Sequence, residues 1–243
     1  MLLFVAWLYQ HRSPILSDTA HTASLRICFT AAGCVLTYLG ATCALPLQDA
    51  ALTRVDHSFG FDWLAWRDAV ETWPKLKFLL ALAYGSLIPQ FLLSSLFLHA
   101  LGRTKRSVEP ILLAAVTLLP TTAVSALWPA LGPFAALGGE RVEYLPHVVM
   151  LHAPGPWHFD IPTMQGILTM PSYHAVLALF FIYAFRNTGL LGWGIGTVNA
   201  VMLVSIAPVG GHYLADIMAG AIIAVMCVVA IRCLATPGLP RSA

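Results

Sequence analysis

Charge is what this chain lacks. Asp, Glu, Lys and Arg make up 10% of its 243 residues and apolar types 58%, a balance far from that of a soluble domain and opposite to that of a disordered one. Uncharged stretches recur at 27–48, 78–98, 110–139, 161–185, 190–211 and 217–231, most of them near or above the roughly 20 residues that cross a bilayer as helix. The expected fold is an all-α integral membrane protein, a single domain over 1–243 with six transmembrane helices. The spans are expected at about 27–46, 78–99, 110–128, 168–186, 190–208 and 213–232.

Cysteine is also scarce. Cys28, Cys34, Cys43, Cys227 and Cys233 fall in or beside the first and last spans, with no Cys-x-x-Cys pair; no His/Cys spacing suits zinc, so they read as small packing residues. The opening "MLLFVAWLYQ" is too short to cross and has no charged region before it, which suits an interfacial helix. Neither internal repeat nor low-complexity tract stands out, no nucleic-acid partner is expected, and the sequence gives no oligomeric state.

The few charges are unevenly divided. With six spans, both termini and the connections "GRTKR" and "RNTG" share one side, which holds eight basic residues against the acids Asp18 and Glu109. The opposite side holds Arg54, Arg67, Lys75, Lys77 and Arg141 against nine acids. Basic loops stay in the cytoplasm, so the termini are expected there and the other face periplasmic, at a bacterial inner membrane. On that outer face, 47–77 mixes aromatic and charged residues as an amphipathic helix in the headgroup layer would. Residues 129–166, rich in proline and glycine, read as an ordered loop with short turns.

Two motifs on the outer side carry chemistry. In "APVGGHYLADIMAG", His212 and Asp216 are four residues apart and share a helix face. A carboxylate there accepts a hydrogen bond from one ring nitrogen and leaves the other unprotonated, the arrangement of a nucleophile with its orienting partner. Gly210 and Gly211 give the chain freedom to turn and a substrate room to approach. In "MPSYHA", Pro171 suits the start of a helix, placing Ser172, Tyr173 and His174 in its first turn, where unpaired backbone N–H groups form a phosphate cradle. The two segments enter the membrane from the same side, so two histidines, one aspartate and a helix N-terminus can converge on one outer-leaflet site.

This pair resembles the type 2 phosphatidic acid phosphatase superfamily, whose second motif is Pro-Ser-x-His, matched by Pro171, Ser172 and His174, and whose third ends in His-x-x-x-Asp, matched by His212 and Asp216. The resemblance implies that His212 is the nucleophile forming a phosphohistidine, Asp216 orients it, and His174 protonates the leaving alkoxide. Ser172, Tyr173 and Gly211 are the expected substrate contacts. Two cations of the family pattern are missing. "SALWPALGPFAALGG" has no basic residue where Lys-x6-Arg-Pro would be expected, and Ser205 is followed by Ile206 instead of arginine. That pattern, with His-Tyr-x-x-Asp, looks more like the branch of inositol phosphorylceramide and sphingomyelin synthases.

The expected activity is a lipid phosphotransferase moving a phosphorylated head group between lipids, from a lipid phosphate or phosphodiester donor to a lipid or polyol acceptor; the alternative is a lipid phosphate phosphatase, and these residues do not choose between water and a second head group as acceptor. No cofactor and no metal are expected: His147, His152 and His158 are five and six residues apart, unlike zinc ligands. Arg141, Lys75 and Lys77 are the outer cations able to reach a phosphate, though a solvated role suits each better. Pro89 with Gln90, and Pro120, are expected to kink spans two and three. A proton-coupled transporter would need ionisable groups near the bilayer midplane, and the expected spans have no Asp, Glu, Lys or Arg at their centres.

Overall fold

The computed structural model of the protein describes residues 1–138, 142–159, 164–167 and 169–235, and among these there is helix and no strand. Two helices open the chain, α1 (Leu2–Tyr9) and the long α2 (Pro14–Ala41). Three shorter ones follow, α3 (Asp49–Ser58), α4 (Trp63–Glu71) and α5 (Pro74–Gly85), then α6 (Leu87–Ala100), α7 (Thr104–Ser107) and α8 (Glu109–Leu127). The stretch between α8 and the next long helices contributes α9 (Pro133–Ala136) and α10 (Leu145–His152), and α11 (Tyr173–Ala184), α12 (Leu190–Gly210) and α13 (Leu214–Ala235) complete the fold.

Four helices, α2, α8, α12 and α13, are long and apolar enough to cross a bilayer, and α5 with α6 makes a fifth if the bent pair is one span. The chain is thus an integral membrane protein of four to five such spans. The fourth expected span is α11, whose 12 residues reach only about 18 Å. Its composition has a different cause from that of a lipid-facing helix. Ala175, Val176, Leu177, Ala178, Phe180, Phe181 and Ala184 are all buried, because α11 is the central helix, packed against α6, α8, α12 and α13. A helix apolar on every side is one surrounded by other elements.

The bend between α5 and α6 is 51°, and Pro89 accounts for it. Proline has no N–H to donate and its ring collides with the carbonyl four residues back, here Gly85, the last residue of α5. Side chains bond across the bend: Gln90 Nε2 donates to Ser86 Oγ at 2.8 Å, and Asn199 Nδ2, buried in α12, donates to Gln90 Oε1 at 2.6 Å. Pro120, by contrast, lies inside an unbroken α8.

The first long helix starts 13 residues before the expected span, and this encloses Arg26. Its guanidinium is fully buried and donates to the Phe91 carbonyl, to Ser95 Oγ at 3.1 Å and to the Ser107 carbonyl at 3.0 Å. These acceptors lie on α6 and α7, so the charge ties α2 to the end of the bundle that also holds the Arg186–Glu109 ion pair (2.6 Å). Every expected site residue lies at the opposite end.

Residues 47–77 form two short helices and the start of α5 instead of one surface helix. Asp62 caps α4 by accepting from Ala65 N at 3.0 Å, and Pro74 begins α5. Trp63 is buried, its Nε1 donating to the Ala207 carbonyl at 2.8 Å. Residues 47–77 are packed into the bundle as well as lying along it.

Candidate active site

The site end is built where α12 hands over to α13. Gly211 terminates α12 in the left-handed conformation, φ 65° and ψ 44°, which glycine adopts without steric cost. The position has a second constraint: a Cβ there would come within 2.1 Å of Phe134 Cδ2. Gly210 serves a different contact, since its Cβ would lie 2.6 Å from Tyr84 Cε2. The Gly-Gly pair lets α9 and α5 close on the turn from two sides.

Immediately after the turn, His212 is 5% exposed and Asp216 fully buried. His212 Nδ1 lies 3.3 Å from Asp216 Oδ2. The same carboxylate oxygen accepts the Tyr213 N–H at 3.0 Å, the reach of a third-position acid back to its helix cap. Asp216 is thereby fixed by the backbone while it faces the ring.

His174 comes from the first turn of α11, and its ring centroid is 6.4 Å from that of His212, the planes inclined at 56°. The two elements are stitched together below the rings. Ser172 N donates to the Asp216 carbonyl at 3.0 Å, and Gly220 on α13 lets the chains touch, because a Cβ there would meet the Ser172 carbonyl at 2.3 Å. This corrects the expectation that the Ser172 N–H cradles phosphate, as the contact between α11 and α13 engages it. The Ser172 hydroxyl and Asp216 Oδ1 are buried without a partner among the described residues. Tyr173 points away, its hydroxyl donating to the Ala114 carbonyl on α8 at 2.6 Å.

Three further residues complete the arrangement. Tyr84 stacks on His174 with centroids 4.3 Å apart and planes 10° from parallel. Asp56 on α3 accepts from Leu214 N and Ala215 N, both at 2.9 Å, capping α13 beside His212. Burial pushes this carboxyl above its ordinary range, and the two amide donors oppose the rise. Asp49 on the same helix accepts from Gly132 N at 2.9 Å, from Leu131 N at 3.0 Å and from the Tyr213 hydroxyl at 3.1 Å, joining the outer loop to the turn. The spacing of seven between the two aspartates, two helical turns, was the available signal for these paired anchors, and it was masked by the amphipathic pattern around them.

Cations stand further off. Arg67 and Lys77 line a cavity of about 450 Å³ beside Phe134, Pro208 and Val209, where Arg67 pairs with Asp68 at 3.3 Å and Lys77 with Glu71 at 2.7 Å. Lys75 is exposed, and Arg141 lies outside the described residues. In the outer loop His147 packs edge-on against Tyr38, centroids 5.6 Å apart. Among the described residues no three His, Cys, Asp or Glu side chains gather as a metal site.

Searches against curated proteins and against solved structures found no match. A family profile does match, over residues 50–230, a stretch that begins within α3 just after Asp49 and takes in His174, His212, Asp56, Asp216 and the central helix. The chain belongs to the PAP2 superfamily.

Proposed function

We propose that the protein is a membrane lipid phosphotransferase that passes a phosphorylated head group through a phosphohistidine on His212. Membership of the superfamily suggests a lipid phosphatase or phosphotransferase. The observation that carries the finer reading is the pairing of His212 with Asp216 at 3.3 Å on one side and with the His174 ring at 6.4 Å on the other. With Nδ1–H directed at the carboxylate, the lone pair is on Nε2.

In the first step His212 Nε2 attacks phosphorus, the N–P bond forms, and the P–O bond to the leaving lipid alcohol breaks as His174 gives that oxygen its proton. In the second, His174 takes the proton from the acceptor hydroxyl while its oxygen attacks phosphorus and the N–P bond breaks. Developing negative charge is met by the Ser172 hydroxyl and by the first-turn N–H groups of α11 at Tyr173 and His174, which have no intrahelical acceptor by their position. Gly211, by admitting Phe134 against the turn, would act on the substrate through its backbone and not through a side chain.

The scarcity of cations at the site supports a phosphodiester donor, which has less charge to balance than a phosphate monoester. Water as acceptor makes the same residues a lipid phosphate phosphatase, the second reading. The purified protein is to be incubated with radiolabelled phosphatidylinositol, ceramide, diacylglycerol and phosphatidate. New labelled phospholipid supports transfer, and release of inorganic phosphate alone overturns it in favour of hydrolysis. His212→Ala is expected to abolish both, and to abolish the covalent phosphoryl label that survives denaturation of the unaltered protein.

A further inference from the structure

A cavity of about 210 Å³ runs along the inner face of α2 and ends at His174. Its wall on α2 extends from Phe29 to Thr37, with Gly33 and Cys34 between; Leu87, Ile88 and Phe91 of α6 face it and Leu118 of α8 closes the side. Ile88 is 55% exposed on the outer surface of the bundle, so the cavity opens laterally between two apolar helices instead of toward water. Its far end is stopped by Phe29 and Phe91, rings 6.1 Å apart, with the Arg26 guanidinium 5.4 Å from the centre of Phe91.

We infer that this groove holds one hydrocarbon chain of the lipid substrate and positions its phosphate at His174, a role that rests on the lipid-phosphate reading of the site. Four features fix the occupant. The lining is apolar apart from the α2 threonines and the His174 end. The eight helical steps from Phe29 to Thr37 give the groove a length of about 12 Å, roughly that of a decyl chain. An apolar cavity of about 150 Å³ holds benzene, so one of 210 Å³ takes a single chain and has no room for two. Finally, Gly33 removes side-chain bulk midway, and a Cβ there would meet Leu118 at 3.6 Å, an ordinary contact, so the glycine widens the groove and is not needed for α2 to approach α8. The second chain of a diacyl lipid remains in the bilayer, and selectivity falls on the length and branching of the first.

The test uses a full chain retaining Cys34 as its one cysteine, with His212→Ala so that lipid is not consumed, held in an amphipathic polymer because detergent chains would compete. Alkylation of Cys34 by a small maleimide is followed with alkyl phosphates from butyl to hexadecyl, and with glycerol phosphate. Protection is expected to grow several-fold with chain length and level off near decyl, with none from glycerol phosphate. Ile88→Trp at the mouth, and separately Gly33→Phe inside, are expected to remove it. An alkylation rate indifferent to dodecyl phosphate, or protection unchanged by Ile88→Trp, overturns the groove. Failure of His212→Ala to abolish turnover would instead strike at the catalytic reading and leave the protection experiment to stand on its own result.

Discussion

Each histidine has a steadying neighbour of a different kind. For His212 it is the Asp216 carboxylate, and Asp216→Asn keeps the size while replacing a charged acceptor by an amide that can favour the wrong ring tautomer. We expect turnover to fall by roughly 10²–10⁴-fold, with lipid binding, read by equilibrium dialysis, little changed. For His174 it is the Tyr84 ring. Tyr84→Leu removes the stack and is expected to lower kcat by roughly 10–100-fold, since small misplacements of a reacting group are costly; Tyr84→Phe keeps the stack and should restore most of the rate. Equal losses in both variants would show that the hydroxyl, not the ring, matters. That His212, Asp216 and His174 come together was expected from their spacing and shared side, and the structure places them in one cluster. Tyr84 was not, because its partner lies 90 positions away and nothing local marks a tyrosine in an apolar helix as a stacking platform.

Among the elements, α3 has the largest effect for its size. Its two carboxylates hold backbone at 131–132 and at 214–215, so a ten-residue helix fixes both the stretch before α9 and the start of α13. Asp56→Ala leaves Leu214 N and Ala215 N without their acceptor. The expected cost is ~1–2 kcal/mol, that of losing a good helix cap, seen as a lower melting temperature together with a fall in kcat; a fall in stability with kcat intact would separate the cap from the site. The pattern of 47–77 suggested a surface helix because aromatic and charged residues alternate with its period. Periodicity reports which face is apolar, but two buried aspartates make their bonds to backbone amides brought in from 131–132 and 214–215, and no pattern within the segment records that. The helix break at Pro89 was readable, as the rule for proline is local. The shortness of α11 was not, since a run of apolar residues looks alike whether lipid or protein surrounds it.

For the whole molecule, the arrangement has two unlike ends. One gathers Arg26, Arg106, Arg186 and Glu109; the other gathers the histidines, the aspartates and the aromatic rings around them. Taken with the excess of basic residues at the first end, this supports an outward-facing site with the termini inside. Cys43 follows α2 at the site end and Cys233 ends α13 at the other, and both are exposed. In intact cells an impermeant maleimide is therefore expected to label a chain retaining only Cys43 and to spare one retaining only Cys233 until the membrane is opened; the reverse pattern would invert the orientation.

The caps supplied by Asp49 and Asp56 also fix an order of events during synthesis. The backbone N–H groups that follow His212 find their acceptor on Asp56, in a segment made some 160 residues earlier, whereas Asp49 of the same segment can already hold 131–132 before α13 exists. A nascent chain that ends within α12 therefore lacks the turn at His212 and its partner Asp216, and these bonds can form only when the last helix has been made. His212 and Asp216 are thus the last of the clustered side chains to be synthesised, after every helix that packs around them except α13.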